Sequence, residues 1–408
     1  MNIMKAVFTR HRIRACLLAA LLMLTTILPV AALDPGELDA KSALLMEAET
    51  GEVLYEMNAD ESLPPASVTK IMTLLLVMEA VDGGSISLED NVSVSEKAAG
   101  MGGSQVFLSS GEQMSVETLI KCTVISSAND AAVALAEYVC GSEEAFVARM
   151  NERAAELEMN STHFENATGL DDTTVNHVTS ARDIAIMSAQ LMRHDKILEF
   201  SSTWMDSIRD GAFTLTNTNR LVRFYDGATG LKTGSTSKAG FCMSATAKRG
   251  ELHLIAVIMG ASSRDARNTS AKKLLDIGFA SKALFRSEST QLDPIPVHGS
   301  LGGSVTPLAQ QFIRVIEKGQ DGRITTEYEL PEYLDAPVET GQVIGRAIYS
   351  AEGNIIGESD ITASGSIMAA SFFDVFTQIM LKFLILSMPH TFLIFSIRNP
   401  PAIICIAP

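Results

Sequence analysis

Hydrophobic and polar positions alternate along several short stretches of the chain and recur with helical spacing along longer ones. Residues 41–56 alternate around a turn at Thr50 and Gly51, which predicts a β-hairpin. The run from 66 to 81 follows two prolines and is apolar nearly all round, as expected of a buried central helix. The same periodicities predict further helices over 115–139, 143–158, 180–195 and 264–286, and strands over 241–247 and 252–259.

The pattern changes near residue 290, where short alternating stretches separated by turns replace the long helical periods. This change predicts a small all-β domain over residues 292–362. Residues 368–387 are apolar with helical spacing, and a partial polar stripe interrupts one face. The stripe consists of Asp374, Thr377, Gln378 and Lys382. The last segment, 388–408, contains four prolines and predicts no element.

The first 32 residues have the pattern of a secretory signal peptide. A basic region precedes an apolar run over residues 15–30, and the small residues Val30, Ala31 and Ala32 provide a cleavage site. The basic residues are Lys5, Arg10, Arg12 and Arg14. An uncleaved membrane helix is the alternative, but the apolar run is short for a span. We therefore expect residues 1–32 to direct secretion across the cytoplasmic membrane.

The 408 residues, of which 47% are hydrophobic, are enough for two domains with their own cores. A formal net charge of −16 argues against nucleic acid as a partner. Cys122, Cys140, Cys242 and Cys405 have no metal-ligand spacing, and the seven histidines form no H-x-x-x-H pair. We therefore expect no metal and no other cofactor. A Cys122–Cys140 disulfide is disfavoured, because both residues fall on one predicted helical region, too far apart along its axis.

Candidate chemistry begins at Ser67-Val-Thr-Lys70, an S-x-x-K string at the predicted start of the helix over 66–81. Positions i and i+3 share one face of a helix, so the Lys70 amine can reach the Ser67 hydroxyl. A serine hydroxyl is a weak nucleophile until a base removes its proton. Lysine can be that base if burial and a second cation, here Lys232, lower its pKa from about 10.4 towards neutrality. We expect Ser67 to be the nucleophile and Lys70 the general base.

A second string, Ser127-Ala-Asn129, lies in the apolar helical region predicted over 115–139. Polar groups buried in such a region need hydrogen-bond partners. Ser127 is a candidate for relaying a proton to a leaving amine, and Asn129 for binding a substrate amide and orienting Lys70. Taken alone, the string is also explained as a polar helix cap.

A third string, Lys232-Thr-Gly234, precedes a predicted strand. Lys232 and Thr233 offer hydrogen-bond donors to a substrate carboxylate, and Gly234 lets a substrate backbone lie against a strand edge. Taken alone, the string is equally well explained by a loop over residues 230–240 that is rich in turn residues.

The three strings occur in the order S-x-x-K, S-x-N and K-T-G, 60 and then 105 residues apart. Penicillin-binding proteins and class A β-lactamases share this trio. The chain resembles the serine-type D-alanyl-D-alanine carboxypeptidases of the S11 peptidase family, which are low-molecular-mass penicillin-binding proteins. The resemblance spans residues 36–385 and includes the segments 63–70, 127–132, 166–170, 179–183 and 230–234.

The resemblance implies an α/β (α+β) catalytic domain of the penicillin-binding and β-lactamase-like class over residues 36–288, with helices packed on an antiparallel sheet. It implies that a small all-β domain over 292–362 follows. A C-terminal amphipathic helix over 368–387 would then dock on the membrane surface. This arrangement implies attachment to the outer face of the cytoplasmic membrane.

The resemblance further implies removal of the terminal D-alanine from peptidoglycan stem pentapeptides, and acylation by β-lactam antibiotics. In such enzymes two backbone N–H groups bind the oxyanion, here those of Ser67 and Ser235. An arginine binds the terminal carboxylate of the substrate. Arg267 best matches its position, and Arg264 is the neighbouring alternative. The chain departs from many relatives at Ala128, where they have glycine.

Other functions remain as alternatives. A class A β-lactamase would carry an E-x-x-L-N loop, and the segment Glu165-Asn-Ala-Thr-Gly169 does not match it. An endopeptidase acting on cross-links would use the same site. A catalytically silent cell-wall-binding module would have lost one of the residues proposed for chemistry, and none is replaced.

Overall fold

The computed structural model describes residues 36–386, which form two compact units, one ending at Ser281 and the next beginning at Lys282. Each unit has its own hydrophobic core. The predicted signal peptide, residues 1–32, and the tail, 388–408, lie outside the described residues.

The first unit mixes strands with helices. Its strands are β1 (Ser42–Glu47), β2 (Val53–Met57), β3 (Asn91–Ser93), β4 (Gln113–Ser115), β5 (Met205–Ile208), β6 (Phe213–Thr216), β7 (Ala228–Thr236), β8 (Gly240–Arg249) and β9 (Leu252–Ala261). Its helices are α1 (Lys70–Asp82), α2 (Glu96–Ala99), α3 (Val116–Ile125), α4 (Asn129–Cys140), α5 (Glu143–Glu156), α6 (Ala181–Leu191), α7 (Asp195–Ser201), α8 (Leu221–Phe224) and α9 (Arg264–Ser281).

The main sheet is antiparallel and has the strand order β2-β1-β9-β8-β7. The hairpin and the two strands predicted over 241–247 and 252–259 are confirmed as β1–β2, β8 and β9. Strands β8 and β9 are buried at most positions, and helices α6 and α9 pack against β9. Strand β7 lies at the edge of the sheet, with a neighbouring strand on one side only. Edge strands can pair with another extended chain through backbone groups that are not already hydrogen-bonded.

Helix α1 lies in the core of the first unit. Its first nine residues, 70–78, are all buried, and burial of each large apolar side chain contributes about 1.5–3 kcal/mol. A 3₁₀ turn over Ala66–Thr69 leads into the helix, and Gly83 ends it. The prediction of a buried central helix over 66–81 is therefore confirmed.

The prediction of one helical region over 115–139 is wrong in its middle. Helix α3 ends at Ile125 and α4 begins at Asn129, and between them Ser127 has the left-handed φ of +62°. The Asn129 N–H donates to the carbonyl oxygen of Ser104, which lies in a distant loop. This long-range contact replaces a helical hydrogen bond, and no glycine or proline announces the break in the sequence.

The cysteines of the described residues behave as expected. Cys122 lies on α3 and Cys140 on α4, and both are free thiols, as is Cys242. Burial raises the pKa of Cys122 to about 12, so this thiol stays protonated at neutral pH.

The second unit is built mainly of short strands. They are β10 (Lys282–Arg286), β11 (Thr290–Gln291), β12 (Ile295–His298), β13 (Ser304–Val305), β14 (Pro307–Ala309), β15 (Ile313–Glu317), β16 (Ile324–Glu329), β17 (Leu334–Asp335), β18 (Val343–Ala351) and β19 (Asn354–Ala363). Helix α10 (Phe372–Leu386) follows. The prediction of short strands after residue 290 is confirmed, and the largest sheet has the order β11-β14-β19-β18-β16.

The helix predicted over 264–286 is wrong in its last five residues. Helix α9 ends at Ser281, and residues 282–286 form β10, which pairs with β15 in the second unit. The Lys282 ammonium pairs with Glu317 on that strand. The pairing partner lies about thirty residues away, so a local helical period could not reveal it.

Helix α10 begins at Phe372, four residues after the predicted start at 368. Ser371 and Asp374 form a capping box: Ser371 N–H donates to Asp374 Oδ2 at 2.9 Å, and Asp374 N–H donates to Ser371 Oγ at 3.2 Å. This box fixes the first turn. The side chains from Phe372 to Phe383 are exposed. Among residues 36–386, the structure contains no helix with the length and apolar character needed to cross a bilayer.

Candidate active site

Ser67 and Lys70 come together at the start of α1, as the S-x-x-K spacing predicts. Lys70 Nζ lies 2.9 Å from Ser67 Oγ and 2.8 Å from the carbonyl oxygen of Thr168. Burial, together with the nearby charge of Lys232, holds the pKa of Lys70 well below its usual range, while Asp130 opposes the shift. A neutral amine within hydrogen-bond distance of the hydroxyl can accept its proton.

Ser127 faces the same site from the break between α3 and α4. Lys232 Nζ donates to Ser127 Oγ at 2.8 Å and to the Thr233 carbonyl oxygen at 2.9 Å. Burial and the charge of Arg267 lower the pKa of Lys232 to about 7. The left-handed backbone at Ser127 is unfavourable for serine, and its hydroxyl is held by a lysine from a different element. Ser127 and Ser67 line the same cleft.

Asn129, the first residue of α4, is buried beside this pair. Its Nδ2 donates to the Gly102 carbonyl oxygen at 2.7 Å, whereas its Oδ1 is buried with no hydrogen-bond partner among the described residues. The predicted contact between Asn129 and Lys70 is not formed, and Lys70 Nζ donates to the carbonyl oxygen of Thr168. Asn129 is not among the residues that line the cleft, so its predicted contact with a substrate amide stays a prediction.

The K-T-G string lies on edge strand β7 rather than in a loop. Gly234 packs against the turn that carries the nucleophile: a Cβ at this position would lie 2.8 Å from Ser67 N and 2.9 Å from Pro65 O. Glycine is therefore required for the edge strand to approach the serine so closely. Thr233 Oγ1 donates to Thr218 Oγ1 at 2.8 Å, and Ser235 continues the strand towards solvent.

A cleft of about 580 Å³ opens over these groups. Ser67, Ser127, Thr233, Gly234, Ser235 and Arg267 all line it, and none of its described lining residues is acidic. Arg267 is buried, and its Nη1 lies 3.4 Å from the Cys242 carbonyl oxygen. Burial and the charge of Arg264 lower the pKa of Arg267 to about 10. A cationic cleft in a chain of net charge −16 is suited to an anionic substrate.

Comparisons with known proteins identify the family of the chain. Residues 29–263 match the peptidase S11 family, described as D-alanyl-D-alanine carboxypeptidase, and this match covers more than half of the chain. The chain belongs to the S11 family. Residues 299–368 match the family described as penicillin-binding protein 5, C-terminal domain. The expected fold class, a penicillin-binding-like α/β domain followed by an all-β domain, is thereby confirmed.

Relatives within the S11 family cover most of the chain. D-alanyl-D-alanine carboxypeptidase DacF of Bacillus subtilis is 42% identical over 325 residues, 78% of this chain and 83% of that protein. Penicillin-binding protein 5 of Haemophilus influenzae is 31% identical, with a TM-score of 0.72 over 82% of this chain and 99% of that one. Penicillin-binding protein D2 of Listeria monocytogenes, solved in its ampicillin-bound form, is 34% identical, with a TM-score of 0.55 over 59% and 98% of the two chains.

These S11 relatives favour a carboxypeptidase over the alternatives. The family and the curated relatives are named D-alanyl-D-alanine carboxypeptidases. Neither the class A β-lactamase nor the silent cell-wall-binding module is favoured by them.

Residues that support Lys70 were not predicted from the residue chemistry. Asn166 Oδ1 accepts from Thr168 N and Gly169 N, at 3.1 and 2.7 Å, and so shapes the turn that presents the Thr168 carbonyl to Lys70. Glu143 Oε1 accepts from the Ala167 N–H at 3.1 Å. In the sequence, only the resemblance to the S11 family distinguishes the segment 166–170. Its role depends on a contact across 98 residues, which no local pattern encodes.

Proposed function

We propose that this protein is a serine D-Ala-D-Ala carboxypeptidase that removes the terminal D-alanine from peptidoglycan stem pentapeptides. The observation that carries the proposal is the 2.9 Å contact between Ser67 Oγ and the Nζ of a fully buried Lys70. Burial disfavours the charged form of a lysine side chain. The neutral Lys70 amine lies within hydrogen-bond distance of the Ser67 hydroxyl and can accept its proton. The S11 membership supplies the substrate class.

The proposed reaction gives each of these groups one step. Ser67 Oγ attacks the carbonyl carbon of the D-Ala-D-Ala bond while its proton moves to Lys70 Nζ. The oxyanion is stabilised by the backbone N–H groups of Ser67 and Ser235. The C–N bond then breaks: Ser127 donates its hydroxyl proton to the leaving amine and takes a proton in return from Lys232, which is hydrogen-bonded to it. Water hydrolyses the acyl-enzyme and releases the shortened peptide.

The terminal carboxylate of the substrate is bound by the cationic side of the cleft. Lys232 and Thr233 lie on edge strand β7, and Arg267 faces the same cleft from α9. A guanidinium can bind a carboxylate with two parallel hydrogen bonds. Asn129 is proposed to bind a substrate amide. β-Lactam antibiotics, which resemble acyl-D-Ala-D-Ala, are expected to enter the same site and acylate Ser67.

The test is covalent labelling with a fluorescent penicillin, followed by peptide mapping and by measurement of D-alanine release from a pentapeptide. The label should map to Ser67, and Ser67→Ala should take none. Lys70→Arg places a guanidinium at this position, which stays protonated near neutral pH and cannot accept the Ser67 proton, so the variant should lose acylation. Label persisting on Ser67→Ala, or near-native acylation of Lys70→Arg, would refute these assignments.

We further propose that residues 1–32 direct secretion and that the segment 368–387 attaches the enzyme to the outer face of the membrane. Asp374, Gln378 and Lys382 recur every four residues, so they lie on one face of α10. Exposed apolar side chains occupy the rest: Phe372, Phe373, Phe376, Ile379, Met380 and Phe383. Lying in the interface keeps the polar stripe wet and buries the aromatic side chains.

A chain ending before Ala369 should be soluble and should keep its activity on a small peptide. On the full-length protein, a tag after Pro408 should be accessible to protease added outside intact cells. The double variant Phe373→Ser, Phe376→Ser should weaken membrane attachment, whereas Gln378→Ser should not. Protection of the tag from protease would show instead that the segment spans the membrane.

A further inference from the structure

His177 is a buried histidine next to the nucleophile turn to which the proposed mechanism gives no role. Its side chain is 3% exposed. The Glu165 N–H donates to His177 Nδ1 at 2.9 Å, so Nδ1 is unprotonated and the proton of the neutral ring is on Nε2. Nε2 lies 2.8 Å from Thr69 Oγ1 and donates to it. Thr69 Oγ1 uses its own proton to donate to the Ala66 carbonyl oxygen at 2.9 Å. The last three groups therefore form a series of hydrogen bonds in which His177 donates to Thr69 and Thr69 donates to Ala66.

The chain of hydrogen bonds ends on a peptide unit that matters for catalysis. The Ala66 carbonyl belongs to the same planar unit as the Ser67 N–H, so fixing the oxygen also fixes the direction of that N–H. Ala66 has a φ of +49°, a left-handed conformation that alanine does not favour, so outside contacts must hold it. Gly169 allows the approach, because a Cβ there would lie 1.8 Å from the Ala66 oxygen.

We propose that His177, acting through Thr69, is a positioning residue that sets the orientation of the Ser67 N–H in the oxyanion hole. The proposal rests on the function proposed above, in which this N–H stabilises the oxyanion. His177 touches neither substrate nor nucleophile, so its effect should appear in the rates of acylation and deacylation and not in ligand binding.

The surroundings keep His177 neutral, as the hydrogen-bond chain requires. Burial is the main cause that lowers its pKa to about 4. His163 and Lys238 also lower it, whereas Glu165 and Asp171 oppose them. Protonation would place a second N–H against the Glu165 N–H, with both groups donating. The chain should therefore persist from neutral pH down to about pH 4 and break below it.

The test uses two pairs of variants in the full-length protein. Glutamine can replace the Nε2 donor of histidine, whereas asparagine can replace only the Nδ1 acceptor. His177→Gln and Thr69→Ser should therefore keep most of the acylation rate with a fluorescent penicillin. His177→Asn and Thr69→Val should lose about tenfold or more, since loss of a whole oxyanion donor costs about 10²–10³. Deacylation should slow in parallel, with noncovalent affinity unchanged.

His253→Asn is the matched control. His253 is half-buried, and its Nε2 lies 2.9 Å from Thr229 Oγ1, but it does not line the cleft. This variant should change thermal stability without changing acylation per folded molecule. Equal rates for His177→Asn and His177→Gln, or a native rate for Thr69→Val, would overturn the proposal; if His177→Asn fails to fold, the Thr69 pair decides. Failure of the proposed function is distinguishable, because the wild-type protein would then take no label on Ser67.

Discussion

Replacing Lys232 with methionine should stabilise the first unit at neutral pH while abolishing acylation. Lys232 is 1% exposed, and its pKa is lowered to about 7 from the usual 10.5, first by burial and then by the charge of Arg267. The folded protein therefore tolerates the ammonium poorly, whereas the unfolded chain does not distinguish it from any other lysine. Methionine has a similar shape and no charge to desolvate.

The pH dependence fixes the sign of the effect. Between pH 7 and 10.5 Lys232 is neutral in the folded protein and protonated in the unfolded chain, so the unfolded state binds more protons and stability rises with pH. The free energy of unfolding rises by up to about 1.4 kcal/mol per pH unit over this range. At pH 7 and below, Lys232 therefore lowers the free energy of unfolding by about 5 kcal/mol relative to its value above pH 10.5. The variant also loses the hydrogen bonds to Ser127 and Thr233, worth about 1 kcal/mol each. A net gain of about 2–3 kcal/mol remains.

The assay is urea unfolding at pH 7, 8, 9 and 10, followed by the fluorescence of Trp204, the one tryptophan of the sequence, which lies in the first unit. The advantage of Lys232→Met should shrink steadily as the pH rises. Lys238→Met, at an exposed lysine after the same strand, should change the unfolding free energy by less than about 0.5 kcal/mol. A variant less stable than wild type at pH 7, or a difference constant from pH 7 to 10, would refute the reasoning.

Two further predictions concern the cleft and its support. Arg267→Ala should lower kcat/KM for a D-Ala-D-Ala peptide with a free carboxylate about tenfold or more, but much less for the amidated peptide. Equal losses on the two peptides would indicate that Arg264 binds the carboxylate, which the same assay on Arg264→Ala would test. Gly169→Ala should unfold the first unit or cost more than about 3 kcal/mol by denaturation, because its Cβ would overlap the Ala66 oxygen. Gly211→Ala, also at positive φ but with open space around it, should cost only about 1–2 kcal/mol; equal costs would contradict the packing argument.

The parts of the site that the sequence predicts are those whose geometry is local. Ser67 and Lys70 are three residues apart on one helical turn, so their contact follows from helix geometry alone. The burial of α1 follows from a run of residues that is apolar all round. The meeting of the three strings followed from their resemblance to a family and not from any local pattern.

The parts that could not be predicted depend on contacts between distant segments. At the break between α3 and α4, the Asn129 N–H bonds to the carbonyl oxygen of Ser104 in a distant loop. Neither Ser127 nor Asn129 is a glycine or a proline, so the sequence does not mark the break. The acceptor for Lys70 is a backbone carbonyl, that of Thr168, and a carbonyl has no signature in the sequence. Strand β10 forms because β15 pairs with it, although its residues continue a helical period.

The candidate active site contains both backbone strain and buried amines. Ala66 and Ser127 have left-handed backbones, which cost about 1–3 kcal/mol each, and Lys70 and Lys232 are buried amines. Hydrogen bonds hold three of these residues: Ala66 is bonded to Thr69 in its own turn, Ser127 to Lys232 on β7, and Lys70 to Thr168 in a distant loop. The strained conformations persist because hydrogen bonds to neighbouring residues stabilise them. Substitutions in the supporting segments should therefore reduce activity while leaving every residue that takes part in the chemistry in place.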